Sequence, residues 1–105
     1  MKIYNDFRID NSLNIKSTSK IFIEINKENH FRDLYNLITK EKLPILVIGE
    51  GTNIVLPDKF DGITVKPIFD EINIDNSNNT ISVGASVNWH KLVLTMIEKN
   101  IYGFE

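Results

Sequence analysis

Cysteine is absent from the 105 residues, which excludes disulfides and thiolate metal sites and fits a reducing compartment. Long apolar runs are absent too. No stretch approaches the ~20 residues needed to span a bilayer. Nor is there an excess of positive charge: the twelve basic residues are scattered and the formal net charge is -2. The chain therefore has no electrostatic bias toward nucleic acid or acidic membranes. Asp6 and Arg8 stand where a signal peptide would be apolar. These absences together describe a cytoplasmic chain with neither nucleic acid nor membrane as partner. What is present is ordinary for a globular protein, with 42% hydrophobic and 25% charged residues, enough for one small core.

No repeat or long linker interrupts the chain. Residues 1–19 are polar with isolated apolar points (Tyr4, Phe7, Ile9, Leu13, Ile15) and read as an extended N-terminal arm. Residues 20–105 read as one lobe. "KIFIEIN" sets Ile21, Ile23 and Ile25 against Phe22 and Glu24, a strand pattern. Asn26 to Asn29 can cap the next segment, where Phe31, Leu34, Tyr35 and Ile38 mark one helical face. Pro44 closes that helix. "ILVI" (Ile45 to Ile48) predicts a short buried strand. Asp61-Gly62 predicts a turn into a strand, "ITVKP". "INIDNSNNTISVG" reads as a hairpin turning over Asp75 to Asn79. Ser86 or Asn88 can cap a second helix, striped by Trp89, Leu92, Val93, Met96 and Ile97 and ended by Asn100 and Gly103. The order β-α-β, then strands, then α suggests a small α/β or α+β sandwich with helices on a sheet, read as α+β with two helices on a mixed sheet.

Glycine is scarce, yet Gly49 and Gly51 stand one residue apart, directly after an apolar strand, in "PILVIGEGTNIVL". A dinucleotide fingerprint would need a third glycine where Ile54 stands, and a helix that Pro57 and Gly62 rule out. A P-loop would need a lysine after the second glycine. A third arrangement remains open. Backbone N–H groups of a glycine-rich turn can point inward as an anion nest without a helix. Gly49 and Gly51 would remove the Cβ atoms that block a phosphate, Thr52 would add a hydroxyl, and Asn53 would add donors and an acceptor. Glu50 suits such a site only if it points away. The other reading of the same residues is a plain turn between two strands.

Three segments resemble the UDP-N-acetylenolpyruvoylglucosamine reductase family. "PILVIGEGTNIVL" is similar to its Gly-x-Gly-Ser-Asn loop. "ISVGASVNWHKLVLTMIEKNIYGFE" resembles its segment of Val-Gly-Ala, a Trp, a Leu and a closing Gly-Leu-Glu. "NDFRID" resembles its Asn-Thr-Phe-Gly-Ile-Asp. The matches run in order and cover essentially the whole chain. The resemblance implies the first lobe of an FAD-binding domain of the vanillyl-alcohol-oxidase type. It implies that Gly49, Glu50, Gly51, Thr52 and Asn53 contact the FAD diphosphate through backbone amides and the hydroxyl, Thr52 keeping the donor of the usual serine. It implies non-covalent FAD, since no histidine stands near the loop. It also implies an NADPH-using reduction of UDP-N-acetylglucosamine enolpyruvate in peptidoglycan precursor synthesis. Asp6 and Arg8 depart from the pattern and put the arm's geometry in question.

The chain stops just after "YGFE" and reads as a piece of something larger. In the resembled family the further FAD contacts, the substrate domain and the protonating groups follow that point. The expectation is about half a cofactor site, no catalytic residue, weak or no binding of FAD, and self-association through uncovered apolar surface. Two other functions stay open: another flavoprotein oxidoreductase of the same fold, and a non-catalytic assembly module derived from it. Among the remaining residues, His90 and His30 read as exposed or rim histidines and Trp89 as core. Asp58, Asp61, Asp70 and Glu71 match no cation loop and read as solvated turns.

Overall fold

The computed structural model describes residues 1–10, 16–49 and 56–101. Its elements run β1 (Lys2–Arg8), β2 (Thr18–Ile25), α1 (His30–Glu41), β3 (Ile45–Val47), β4 (Lys59–Pro67), β5 (Ile72–Asp75), β6 (Thr80–Val83) and α2 (Trp89–Glu98). The class is α+β, with a mixed sheet and two helices. Packing divides the chain into two compact units, Met1–Ile68 and Phe69–Glu105.

In the first unit four strands lie in the order β1-β2-β4-β3. β2, β4 and β3 are mutually parallel, and β1 adds an antiparallel edge. Register sorts the side chains between two faces. One face carries Ile21, Ile23 and Ile25 beside Ile63, Val65 and Pro67, and Ile23, Ile25 and Ile63 are wholly buried. The other carries Tyr4, Phe22, Thr64 and Leu46. Here Phe22 clusters with Ile9, Ile48 and Leu56, with Tyr4, Phe7 and Leu46 packed against them. Internal strands covered on both sides explain why Phe22 is as buried as the isoleucines around it.

The arm read from the sequence is, over Lys2–Arg8, a paired strand. Its period breaks at Asp6, which adopts φ 49. Tyr4 and Phe7 would otherwise point to opposite faces. Through this left-handed residue Phe7 returns to the Phe22 face, where the rings stack at 4.5 Å. Aspartate tolerates that conformation better than most residues. Arg8 pairs with Thr18 and is exposed, so its bulk meets solvent.

Asp61-Gly62 is not a turn. Both residues lie inside β4, at a bulge: Ser19 pairs with Phe60 and Ile21 with Ile63, leaving Lys20 opposite two residues. A Cβ on Gly62 would run into the Pro44 carbonyl oxygen and lie 2.6 and 2.8 Å from two Phe60 ring carbons. Glycine here serves close strand approach. The buried hydroxyls beside the bulge are satisfied. Ser19 Oγ lies 2.7 Å from the Ile21 carbonyl oxygen and 2.8 Å from Thr64 Oγ1.

β3 is an edge strand, not a buried one. Its Ile45 and Val47 point to the isoleucine face, yet Val47 is 63% exposed. The α1 stripe is also rotated from the expected one. Leu34 is buried and Leu37 and Ile38 are half-buried, while Phe31 is exposed and Tyr35 is 69% exposed. Asn29 takes the N-cap position but makes no side-chain cap bond.

The second unit holds the expected hairpin. β5 pairs with β6, and the Asp75 carboxylate accepts from the backbone N–H of Ser77 at 3.0 Å and of Asn78 at 3.3 Å. Hydrogen bonds from the Asn78 and Ser77 side chains, helped by those backbone bonds, hold the Asp75 carboxyl below its ordinary range. Asn88 rather than Ser86 caps α2, accepting from the Lys91 N–H at 3.2 Å. Ser86 Oγ instead accepts from the Phe69 N–H. At the other end Asn100, at φ 58, closes the helix as expected, with the Ile101 N–H on the Met96 carbonyl oxygen at 2.8 Å. Gly103 lies outside the described residues. Leu92 and Met96 are buried, but Trp89, read as core, is 63% exposed.

Candidate functional site: the loop joining two parallel strands

Parallel neighbours need a crossover, since the chain must return from the end of one strand to the start of the next. Between β3 and β4 that crossover is residues 48–58, the glycine-bearing segment itself. Of the five expected site residues only Gly49 is described. Glu50, Gly51, Thr52 and Asn53 lie outside the described residues; the stems on either side of them are described.

Both stems are anchored on the Phe22 face. Ile48 continues the β3 ladder, donating its N–H to the Val65 carbonyl oxygen at 3.0 Å, and its side chain is buried. Leu56 is buried in the same cluster. Beyond it, Ser17 Oγ donates to the Pro57 carbonyl oxygen at 2.6 Å, and the Thr18 N–H donates to that of Asp58 at 3.0 Å. Ile9 in turn donates to the Ser17 carbonyl oxygen at 2.8 Å. The N-terminal "NDFRID" thus supplies Phe7 and Ile9 to the bed on which the loop is mounted. Sequence reading caught that segment as a motif but missed its supporting task.

Gly49 follows directly on the carboxyl end of β3 and is exposed. A Cβ built on it would meet nothing within 4 Å. The protein leaves the space beside this backbone open, which suits a ligand approaching the main chain at the carboxyl ends of parallel strands. The described residues contain no group of three or more His, Asp or Glu able to hold a metal.

His30 begins α1, and its Nε2 lies 3.1 Å from the Met1 ammonium, which donates to it. Desolvation, then the positive charges of Met1 and Lys27, lower its pKa below the ordinary histidine range. A pocket of about 300 Å³ opens here, with Lys2, Glu24 and Ile68 in its wall. His90 is exposed at the start of α2. Asp61 belongs to β4 and makes a 3.8 Å surface ion pair with Lys59. None of the described helices is long and apolar enough to cross a membrane.

A mixed sheet with a glycine-bearing connection between parallel strands, and open space beside Gly49 at their carboxyl ends, is compatible with a nucleotide-cofactor domain. Residues 19–105 match the FAD binding domain family, and the chain belongs to it. Among curated proteins it is similar to the UDP-N-acetylenolpyruvoylglucosamine reductase of Amoebophilus asiaticus. The two are 34% identical over 99 residues, covering 90% of this chain and 29% of the relative. It is 29% identical over 97 residues to the enzyme of that name from Shewanella sp. (strain ANA-3), covering 90% of this chain and 28% of the relative. With the Salmonella typhimurium enzyme of the same name identity is 26% over 107 aligned positions, covering all of this chain and 30% of the relative. The chain thus spans about three-tenths of the length of the relatives it matches.

Proposed function

We propose that this chain is the amino-terminal part of the FAD site of a reductase acting on UDP-N-acetylglucosamine enolpyruvate. Membership of the FAD binding domain family over residues 19–105 carries the reading. The shared name of the relatives supports the substrate. In this reading the backbone amides of Gly49, Glu50, Gly51, Thr52 and Asn53 hold the FAD diphosphate, with the Thr52 hydroxyl as an added donor. The open space at Gly49 and the anchored stems at Ile48 and Leu56 fit that task. Binding is non-covalent. When bound, FAD supplies hydride transfer, with NADPH as the co-substrate. The chain's own share is to position the diphosphate. The UDP-sugar contacts and the substrate-protonating group belong to the part of the relatives' length that this chain does not match.

The setting is cytoplasmic, where peptidoglycan precursors are made. Exposed Trp89, Leu94 and Ile97 on α2 support self-association of the chain when it stands alone. Two assays test the proposal. Flavin fluorescence during FAD titration is expected to show weak, reversible binding by the 105-residue chain. NADPH oxidation with the enolpyruvyl substrate is expected to show no turnover. Tight stoichiometric FAD binding, or a clear rate, would contradict the half-site.

A further inference from the structure

We infer that Lys66 is a diphosphate-binding residue, a cation placed close to Gly49 at the carboxyl end of the sheet to meet the phosphates of the dinucleotide. The inference rests on the flavin reading above and adds a residue that lies outside the loop. Lys66 occupies an internal strand, β4, with Glu24 of β2 directly opposite. On its other side the β3 register, Val47 against Val65, continues through the Ile48 N–H bond to Val65. That places Ile48 next to Lys66 and Gly49 one residue further along the same edge. Lys66 shares its face with Thr64 and Phe22, the face on which Ile48 and Leu56 anchor the loop. It is therefore on the loop's side of the sheet, at the carboxyl ends of the parallel strands.

Lys66 is half-buried as a residue, and its ammonium makes no ion pair or hydrogen bond to a described residue. Glu24, its cross-strand neighbour, does not reach it. An ammonium with no counter-ion on this face is free to meet an anion. The open space at Gly49 gives such an anion room against the backbone. A lysine ammonium is a compact point charge with three donors, suited to phosphate oxygens. Glu24 opposes the same anion, so it tunes the site downward.

The test uses the whole chain with three probes at millimolar concentration: inorganic pyrophosphate, FAD and riboflavin. Lys66→Met keeps the aliphatic stem and should melt like the unaltered chain. It is expected to weaken pyrophosphate and FAD binding by about tenfold, as befits one charge-assisted contact. Riboflavin, which has no phosphate, should bind both chains alike. Lys66→Arg should restore most of the affinity, and Glu24→Gln should raise it. Equal FAD affinity in the unaltered and Lys66→Met chains would overturn the Lys66 assignment and leave the flavin reading standing. Lys66-dependent pyrophosphate binding without any FAD binding would keep Lys66 and sink the flavin reading. If neither ligand binds, both fall.

Discussion

Replacing Gly62 by alanine is expected to lower the unfolding free energy by about 3 kcal/mol. The added Cβ would strike the Pro44 carbonyl oxygen and the Phe60 ring. Phe60 is half-exposed and can swing aside. Pro44 cannot retreat freely, because its carbonyl oxygen accepts the Ile63 N–H at 2.8 Å, a bond that holds the start of β3 to β4. Either that bond is lost or β4 shifts at its bulge. Gly49→Ala is the control, since nothing lies within 4 Å of the new Cβ. Its stability should change by less than about 0.5 kcal/mol. Urea midpoints of the two variants measure the contrast. A Gly62→Ala midpoint equal to that of Gly49→Ala would mean the strands do not approach as described.

Leu56→Ala should cost a similar amount, about 3 kcal/mol, by leaving a cavity in a small cluster. Among the described residues only Ile9, Phe22 and Ile48 share that cluster as buried residues, so few of them can collapse into the gap. The effect reaches beyond stability. Leu56 is the return stem of the crossover, and Ile48 is its exit. Hydrogen exchange at the Ile48 amide, bonded to Val65, should accelerate in the variant. Amides of the β5–β6 hairpin, in the second unit, should keep their rates. Acceleration spread evenly over both units, or none at Ile48, would deny the loop its local anchor.

Much of this fold was legible in the sequence because its signals are local. The alternation of Ile21, Ile23 and Ile25 marks β2, Asp75 to Asn79 marks the hairpin turn, and Asn88 and Asn100 bound α2. These rest on side-chain period, turn chemistry and capping, all set within a few residues. The misreadings have a different origin. β1 hid because Asp6 breaks its alternation, so Tyr4 and Phe7 look scattered when they share a face. Asp61-Gly62 is a common turn pair, and only the neighbouring Pro44 and Ser19 make it a bulge. Ile45, Val47 and Trp89 were read as covered because they are apolar. Which element covers an apolar face is a property of packing, and periodicity does not record it.

The site divides the same way. The glycine pair stood out, because closely spaced glycines after a strand carry backbone meaning. Its supports did not. Phe7, Ile9 and Leu56 are unremarkable apolar residues until the sheet gathers them around Phe22. Lys66 carried a faint signal, a lone charge in the apolar run "ITVKP", but only register sets it beside Gly49.

Amide chemical shifts of the 105-residue chain titrated with ADP test the central claim most directly. ADP carries the diphosphate and adenosine of the cofactor without the flavin ring. The account predicts the largest shifts at the amides of residues 49–53, with smaller ones at Ile48 and Lys66. Shifts confined to the second unit, or an unchanged spectrum at saturating millimolar ADP, would contradict it.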